Sequence, residues 1–143
     1  MDKIELRKVV EKDWDFILNL RNGFYTNSFY EQKKPIQKAE HYGYMSKQAT
    51  NTNFHQWVAV KSENLLPIGY IRILDQDINI MVEKKSQTKG IGTTMLNLVE
   101  KEALGLGIKK LKAKVLIGNE SSKKIFEKNN YKLKMYLFEK EIF

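Results

Sequence analysis

The chain has 143 residues, a length that fits one domain, residues 1–143, with a hydrophobic core of its own. Its composition is globular, since 42% of the residues are hydrophobic and 11% are aromatic, and no cysteine is present. This excludes a disordered chain, disulfide bonds, cysteine nucleophiles and thiolate metal sites, and no metal site is predicted. The first ten residues, MDKIELRKVV, lack an apolar leader, and no run approaches the roughly 18 apolar residues of a membrane span. A cytoplasmic protein without a membrane partner is therefore expected.

The net charge is +8, and most of the basic residues are lysines that are spread along the chain. Arg7, Arg21 and Arg72 are the only arginines. Proteins that read nucleic-acid sequence favour clustered arginines, because the guanidinium donates a bidentate fork of hydrogen bonds. Nucleic-acid binding is therefore disfavoured, whereas attraction of a small polyanion is consistent with the charge.

The first third of the chain predicts one strand and two helices. Residues Ile4–Val9 alternate like a strand, and apolar residues recur at helical spacing after Asp13, a suitable N-cap. The aromatic but aperiodic stretch Asn22–Pro35 is predicted to be a loop. A second helix is predicted over Ile36–Gln48.

The middle of the chain changes from helical to strand-like periodicity. Residues His55–Ser62 and Leu66–Leu74 predict the two strands of a hairpin, and Ile78–Val82 predicts a third strand after a turn at Asp75–Asp77. After a lysine-rich loop, apolar residues from Ile91 onward recur at i, i+3, i+4, i+7 and i+8. A helix that ends at two glycines is predicted there.

The last part of the chain predicts a strand over Lys109–Ile117, a short helix over Glu120–Lys128 capped by Asn119, and a closing strand over Tyr131–Phe143. The complete order is β-α-α-β-β-β-α-β-α-β. This order predicts a three-layer α/β domain built on a mixed, mainly antiparallel sheet.

Gly90 and Gly92 lie between the strand predicted over Ile78–Val82 and the helix that follows it. The first amides of a helix have no internal partner, and glycines let an anion approach the backbone closely. A dinucleotide-binding fingerprint would need a third glycine where Met95 stands, and a P-loop would need G-K-[ST] at the helix entry. A phosphate cradle and a helix start used for close packing both remain open from these residues.

The spacing around these glycines resembles motif A of the GNAT acyltransferases, usually [RQ]-x-x-G-x-[GA]. Gln87, Gly90 and Gly92 occupy its places, and Val82 lies five residues before Gln87, as a strand valine does in the family. A second family signature, N-x-x-A/S-x-x-x-Y/F-x-K-x-G-F, follows downstream. Its places are taken by Asn119, Ser122, Phe126, Lys128 and Tyr131, with Asn130 where glycine is usual. Asn tolerates the left-handed conformation that glycine would supply there.

The resemblance implies a GNAT-like fold and acetyl transfer from acetyl-CoA to an amine. The amides from Gln87 to Thr93 would hold the pyrophosphate, the backbone of Ile80–Val82 would pair with the pantetheine arm, and a backbone amide there would stabilise the developing oxyanion. The cofactor-binding residues implied are Ile80, Met81, Val82, Gln87, Thr88, Lys89, Gly90, Ile91, Gly92, Thr93, Asn119, Ser122 and Phe126. Many members carry tyrosine at the place of Phe126 as the acid that reprotonates the thiolate, so the general acid is left open. Core packing is the other interpretation of Phe126.

Short motifs on the acceptor side resemble a GNAT subgroup that acetylates amino sugars on nucleotide carriers, as in pseudaminic acid biosynthesis. These motifs are R-N, a phenylalanine in a variable loop, I-x-x-x-E-H and G-x-x-R. The acceptor-site residues so implied are Arg21, Asn22, Phe29, His41 and Arg72, with His41 as the group that orients or deprotonates the amine. His55, at the start of a strand, is interpreted as structural or solvated. The aromatic residues Tyr25, Phe29, Tyr30 and Tyr44 would stack on sugar or base, or pack in the core.

Several functions remain open at this point. The leading hypothesis is an N-acetyltransferase with an amino-sugar nucleotide as acceptor, and protein N-termini or small amines are alternative acceptors. The competing class is a non-catalytic CoA-binding domain of the GNAT fold that serves as an interaction module, followed by a basic nucleic-acid module. The apolar end of the chain, residues 141–143, suggests a homodimer edge.

Overall fold

Five strands form one sheet and lie in it in the order in which they follow along the chain. The computed structural model describes residues 3–28, 33–87 and 90–143, with the side chains of residues 24–28 excepted. The strands are β1 Ile4–Lys8, β2 Phe54–Lys61, β3 Pro67–Leu74, β4 Asp77–Val82 and β5 Lys112–Ala113. The first four pair antiparallel and β5 pairs parallel with β4, which confirms the predicted mixed, mainly antiparallel sheet.

Helices cover both faces of the sheet, as the three-layer prediction requires. They are α1 Trp14–Ser28, α2 Lys38–Gln48, α3 Ile91–Gly105 and α4 Glu120–Lys128, and short 3-10 turns occupy Glu11–Asp13 and Lys84–Ser86. Among these described helices, none combines the length and the apolar character that crossing a membrane would require.

Strand alternation divides the core between the two faces. Ile71 on β3 packs in the cluster formed with Met95 of α3, whereas its neighbour Tyr70 packs in a second cluster with Ile17 of α1 and Met45 of α2. Strands β3 and β4 therefore contribute side chains to the core on both faces of the sheet. Any cavity between the sheet and helices α1 and α2 is therefore lined by the strand side chains that alternate with those facing α3.

Helix α1 is longer than predicted. Residues Asn22–Ser28, which were predicted as the start of a loop, continue the helix. The reason is that Gly23 is the only helix-breaking residue type in this stretch, and one glycine inside a helix costs only about 1 kcal/mol. The aromatic residues of this stretch lack helical periodicity, so the pattern did not predict the helix that continues through them.

Two predicted strands are corrected by the structure. Of residues 109–117 only Lys112 and Ala113 pair as a strand, and residues 131–143 form no strand among the described residues. Alternation predicts which side chains would share a face, but a strand forms only where a neighbouring backbone is available. Asn130 adopts φ +70°, so the predicted left-handed conformation at this position is confirmed.

We expect Gly69→Ala to lower the free energy of unfolding by about 1–3 kcal/mol, because it overpacks the core. A Cβ on Gly69 would lie 2.9 Å from the backbone oxygen of Met81 and 2.9 Å from Sδ of Met95. The control is Gly43→Ala in α2, where a Cβ would meet nothing within 4 Å and helix propensity should rise. Urea denaturation of both variants measures the difference, and equal stability would contradict this packing.

Candidate active site

The N-terminus of α3 is an open helix end. Gly90 is its N-cap in the left-handed conformation, with φ +75°, and a Cβ there would meet nothing within 4 Å. Among the described residues no side chain caps this end, and its first turn contains no acidic residue. The amides of the first turn therefore remain available to an anion, and the helix dipole adds positive potential.

Gly92 has a different role from Gly90. It is buried, and a Cβ on it would lie 2.9 Å from Cδ1 of Ile125 on α4. The two interpretations that the sequence left open therefore apply to different glycines. Gly92 permits close packing of α3 against α4, whereas Gly90 leaves space in front of the helix.

The loop between β4 and α3 is held by its own side chains. Nε2 of Gln87 donates a hydrogen bond to the carbonyl oxygen of Val82 at 3.0 Å. Oγ of Ser86 donates to Oε1 of Glu83 at 2.9 Å. The five-residue spacing from Val82 to Gln87 thus closes the loop onto the end of β4, and the predicted residues Thr88 and Lys89 lie outside the described residues.

The parallel pairing of β4 with β5 is short. It joins Asp77 to Lys112 and Ile78 to Ala113, and it ends there although β4 continues to Val82. The second half of β4 is consequently bonded in the sheet on its β3 side only. Over this half the edge of β4 on the β5 side is unpaired, which leaves a gap in the hydrogen bonding of the described sheet.

Backbone groups of β4 face this gap. The amide of Lys112 donates to the carbonyl of Gln76 at 2.8 Å, and strand alternation turns the backbone groups of Ile80 and Val82 to the same side. Met81, between them, directs its backbone toward β3. Two of the three strand residues predicted to meet the cofactor therefore present amide or carbonyl groups to the gap, although Gln87 occupies the Val82 carbonyl.

The start of α4 is capped by the side chain of Asn119. Oδ1 of Asn119 accepts hydrogen bonds from the amide of Ser122 at 3.3 Å and from Oγ of Ser121 at 3.2 Å. Phe126, one turn further, is half-buried against the α3-side core, with its ring 5.2 Å from that of Tyr131 in an edge-to-face contact. These contacts give Asn119 and Phe126 structural roles of their own.

A cavity lies between α1, α2 and the face of the sheet opposite α3. Three of the predicted acceptor-site residues, Arg21, His41 and Arg72, meet in it although they belong to three different elements. Its lining is Ile17, Arg21, His41, Tyr44, Met45, Tyr70, Arg72, Asn79 and Met81. Tyr70 and Asn79 were not predicted, yet strand alternation and pairing could have indicated them. Tyr70 lies two positions before Arg72, and Asn79 is opposite Arg72 in the sheet.

The cavity carries two positive charges. Burial lowers the pKa of the Arg21 guanidinium, and the positive charge of Arg72 acts in the same direction. Nη1 of Arg72 donates to the Asp77 carbonyl at 3.2 Å and lies 3.4 Å from Oδ2 of the same residue. Of the described residues that line the cavity, none is acidic.

His41 is 3% exposed, and its Nε2 lies 2.9 Å from the carbonyl oxygen of Trp14. A carbonyl only accepts, so Nε2 carries the hydrogen and Nδ1 keeps a lone pair in the neutral ring. Burial lowers the pKa of His41; the bond to Trp14 opposes this shift, and the charge of Arg21 reinforces it. The lowered pKa favours the neutral form of the ring at pH 7.

Among the remaining residues considered for the acceptor side, Asn22 and His55 are described by the structure, and neither lines this cavity. The Asn22 amide donates to the Ile36 carbonyl at 3.0 Å and accepts from the Ile36 amide at 2.8 Å, so it ties α1 to the segment that enters α2. Asn22 is not among the residues that line the cavity. His55 is half-buried on β2, with its ring stacked 6.4 Å from that of Trp57. Phe29, Tyr30 and the side chain of Tyr25 lie outside the described part of the chain.

The family model of the Acetyltransferase (GNAT) domain matches residues 3–132 of this chain. The chain belongs to the GNAT acetyltransferase family. The family match and the mixed five-stranded sheet agree with the predicted fold class.

Individual relatives define the fold further. The uncharacterised protein MJ1062 of Methanocaldococcus jannaschii is 29% identical over 140 residues, which cover 91% of this chain and 28% of that protein. The chain thus spans little more than a quarter of the length of this curated relative. The crystal structure of a domain from the same organism aligns with a TM-score of 0.78 and 27% identity over 90% of this chain and 88% of that one.

A spermidine N-acetyltransferase from Vibrio cholerae, in complex with CoA and spermine, aligns with a TM-score of 0.80. It is 18% identical, over 89% of this chain and 79% of that one. At this identity the likeness concerns the fold alone.

We expect the free energy of unfolding to fall on mild acidification because His41 is buried. Below about pH 6.5 the unfolded chain binds a proton at His41, whereas the folded chain, with its lowered pKa, does not. As the pH is lowered, the free energy of unfolding should therefore fall by up to about 1.4 kcal/mol per pH unit until the folded-state pKa is reached. His41→Gln can still donate to the Trp14 carbonyl but does not titrate. Urea denaturation of both proteins between pH 7.5 and 5 measures the two slopes, and identical slopes would contradict a buried neutral His41.

Proposed function

We propose that this domain transfers the acetyl group of acetyl-CoA to the amine of a small molecule that also carries an anionic group, with the phosphates of an amino-sugar nucleotide as the leading example. The observation that carries this proposal is the cavity in which Arg21, Arg72 and His41 meet, with no acidic residue among the described residues of its lining. The family match does not identify the acceptor.

The donor side fits acetyl-CoA at two places. The uncapped first turn of α3, behind the open space at Gly90, offers amides from Ile91 to Thr93 to the pyrophosphate. The backbone of Ile80 and the amide of Val82 face the gap between β4 and β5, where an extended amide-bearing chain such as pantetheine can add to the strand. When bound, acetyl-CoA supplies the thioester whose acetyl group the amine receives. Asn119, Ser122 and Phe126 of the second family signature would then contact the pantetheine end.

On the acceptor side, His41 would accept the proton that the amine loses. A primary amine is largely protonated at pH 7 and attacks only after losing that proton, and a positioned base contributes roughly 10²–10⁴-fold. Nε2 of His41 is held by the Trp14 carbonyl, which leaves Nδ1 as the basic atom. The lowered pKa keeps Nδ1 unprotonated and ready at neutral pH.

The charges of the cavity select an anion over a cation. The two guanidinium groups that line this space repel each other, although Asp77 partly offsets the charge of Arg72. An anionic group between them would lessen the repulsion and accept charge-assisted hydrogen bonds. A polyamine is polycationic and would add to the repulsion. The cavity therefore favours an amine with a phosphate or carboxylate over spermidine, the substrate named for the Vibrio cholerae enzyme.

We expect Gly90→Asp to weaken acetyl-CoA binding at least tenfold while the fold is kept. Asp and Asn both tolerate the left-handed conformation of Gly90, and both can cap the helix. Only Asp adds a negative charge in front of the amides that would hold the pyrophosphate. The matched control Gly90→Asn should therefore weaken binding less. Isothermal titration with acetyl-CoA gives the three dissociation constants, and equal affinity of the Asp and Asn variants would remove the pyrophosphate from this helix end.

We expect acetyl transfer to favour the anionic member of matched acceptor pairs, such as an amino sugar and its nucleoside diphosphate derivative. Arg72→Gln should lower kcat/KM for the anionic acceptor about 10- to 100-fold, the usual range for one charge-assisted hydrogen bond, and change it little for the uncharged one. The control Lys47→Gln removes an exposed charge of α2 outside the cavity. Thiol release from acetyl-CoA measures turnover.

Different outcomes of this panel separate the hypotheses. A preference for spermidine, or an equal loss with both members of a pair, would overturn the anionic acceptor. Acetyl-CoA binding without turnover of any amine in the panel, peptide N-termini included, would favour the non-catalytic CoA-binding domain.

A further inference from the structure

The carboxylate of Asp77 lies beside the cavity, in contact with Arg72. Oδ2 of Asp77 is 3.4 Å from Nη1 of Arg72, and the same nitrogen donates a hydrogen bond to the Asp77 carbonyl oxygen at 3.2 Å. The Arg72 side chain is 16% exposed and that of Asp77 is 26% exposed, so the pair is partly shielded from water. Asp77 therefore engages one guanidinium nitrogen with two of its oxygens.

The backbone of Asp77 is fixed on both sides. It lies opposite Leu74 of β3 and beside Lys112 of β5, where all three strands pair. Strand alternation places Asp77 on the same face as Asn79, which lies opposite Arg72. Asp77 is thus a diagonal neighbour of Arg72 across the two strands, within reach of a long side chain. A carboxylate on such a rigid element can hold a flexible guanidinium in one place.

Hydrogen bonding within the fold does not account for the second carboxylate oxygen. Oδ1 of Asp77 is buried and has no hydrogen-bond partner among the described residues. A buried acceptor without a partner lowers the stability of a fold. The carboxylate instead contributes a negative charge beside Arg72.

The contact with Asp77 uses only one part of the Arg72 guanidinium. Both of its polar contacts are made by Nη1, and within the described chain Nη2 and Nε donate no hydrogen bond. Arg72 itself lines the cavity. A guanidinium that is held at one nitrogen keeps the other two as donors for a bidentate bond with a phosphate or carboxylate.

The neighbouring charge of Arg21 makes such a hold necessary. Burial lowers the pKa of Arg21, and the positive charge of Arg72 adds to this shift, so the two guanidinium groups repel each other. Repulsion of this kind favours rotamers that carry the flexible Arg72 side chain out toward water. The negative charge of Asp77 opposes that movement.

We propose that Asp77 is a positioning residue that holds Arg72 at the wall of the cavity, with Nη2 and Nε directed to the anionic group of the acceptor. This role rests on the proposed function, since it requires an acceptor with a phosphate or carboxylate. The opposite role is that of a charge that merely competes with the acceptor for Arg72. The two roles predict effects of opposite sign when the carboxylate is removed.

The test is Asp77→Asn, which removes the negative charge and keeps the size of the side chain and the backbone carbonyl. We expect KM for the anionic member of a matched acceptor pair to rise about 3- to 10-fold, because binding must then order a released side chain. The value of kcat and the KM for the uncharged member should change less. Thiol release from acetyl-CoA measures both constants.

The matched control is Asp75→Asn, the same chemical change two residues away in an exposed turn outside the cavity. Asn tolerates the left-handed φ of +48° at this position, and both KM values should stay as in wild type. An unchanged or lower KM of Asp77→Asn for the anionic acceptor would overturn the positioning role, since removal of a competing charge predicts tighter binding.

The Arg72→Gln background supplies a second criterion. There, Asp77→Asn should have no further effect on KM, because the side chain that Asp77 holds is gone. A full additional effect in that background would show that Asp77 acts by another route and would overturn the proposal.

A stability measurement separates failure of this role from failure of the proposed function. Urea denaturation of wild type, the two single variants and the double variant gives the coupling between Asp77 and Arg72 without acetyl-CoA or an acceptor. We expect the double variant to be less destabilised than the sum of the single variants. Additive effects would overturn the hold on Arg72 whatever the acceptor is. A clear coupling in a protein that shows no preference for the anionic acceptor would overturn the proposed function while the hold on Arg72 stands.

Discussion

The constraint on which the site depends is the early end of the pairing between β4 and β5. The two strands pair at Asp77–Ile78 and then part, although β4 runs on to Val82. A parallel ladder that continued to the end of β4 would engage the backbone of Ile80 and Val82 within the sheet. Because the strands part, those groups face a gap, and α3 begins close to the end of that gap with its uncapped amides. The short pairing thus leaves the strand backbone unpaired, and the glycine cap at Gly90 leaves the amides of α3 open.

The acceptor side depends on the two faces of the same strands. Gly69 and Ile71 face α3, where Met95 packs tightly, and this fixes the face on which Tyr70 and Arg72 lie. Helices α1 and α2 then add Arg21 and His41 from above the sheet. The two guanidiniums repel each other across this space, although Asp77 partly offsets the charge of Arg72. Groups with perturbed pKa values that meet in one cavity, such as Arg21 and His41, are typical of functional sites.

Several details of the fold could be predicted because they depend on local chemistry. The hairpin strands, the helical spacing after Ile91, the cap at Asn119 and the left-handed Asn130 each follow from residues that are neighbours in the chain. The continuation of α1 to Ser28 was missed because its aromatic residues lack helical periodicity. The strand predicted after Tyr131 did not form, since alternation describes the faces of a strand and says nothing about its partner.

The sequence by itself determined the family, the order of the elements up to α4 and the spacing of Gln87, Gly90 and Gly92. These are local properties, set by propensity, periodicity and the conformational freedom of glycine. The tertiary structure alone decided that Gly92 serves the contact with Ile125 and that Asn22 serves the backbone of Ile36. It also brought Arg21, His41 and Arg72 into one cavity. Contacts of this kind join residues far apart in the chain, and they form only when helices and strands pack, so no local pattern records them.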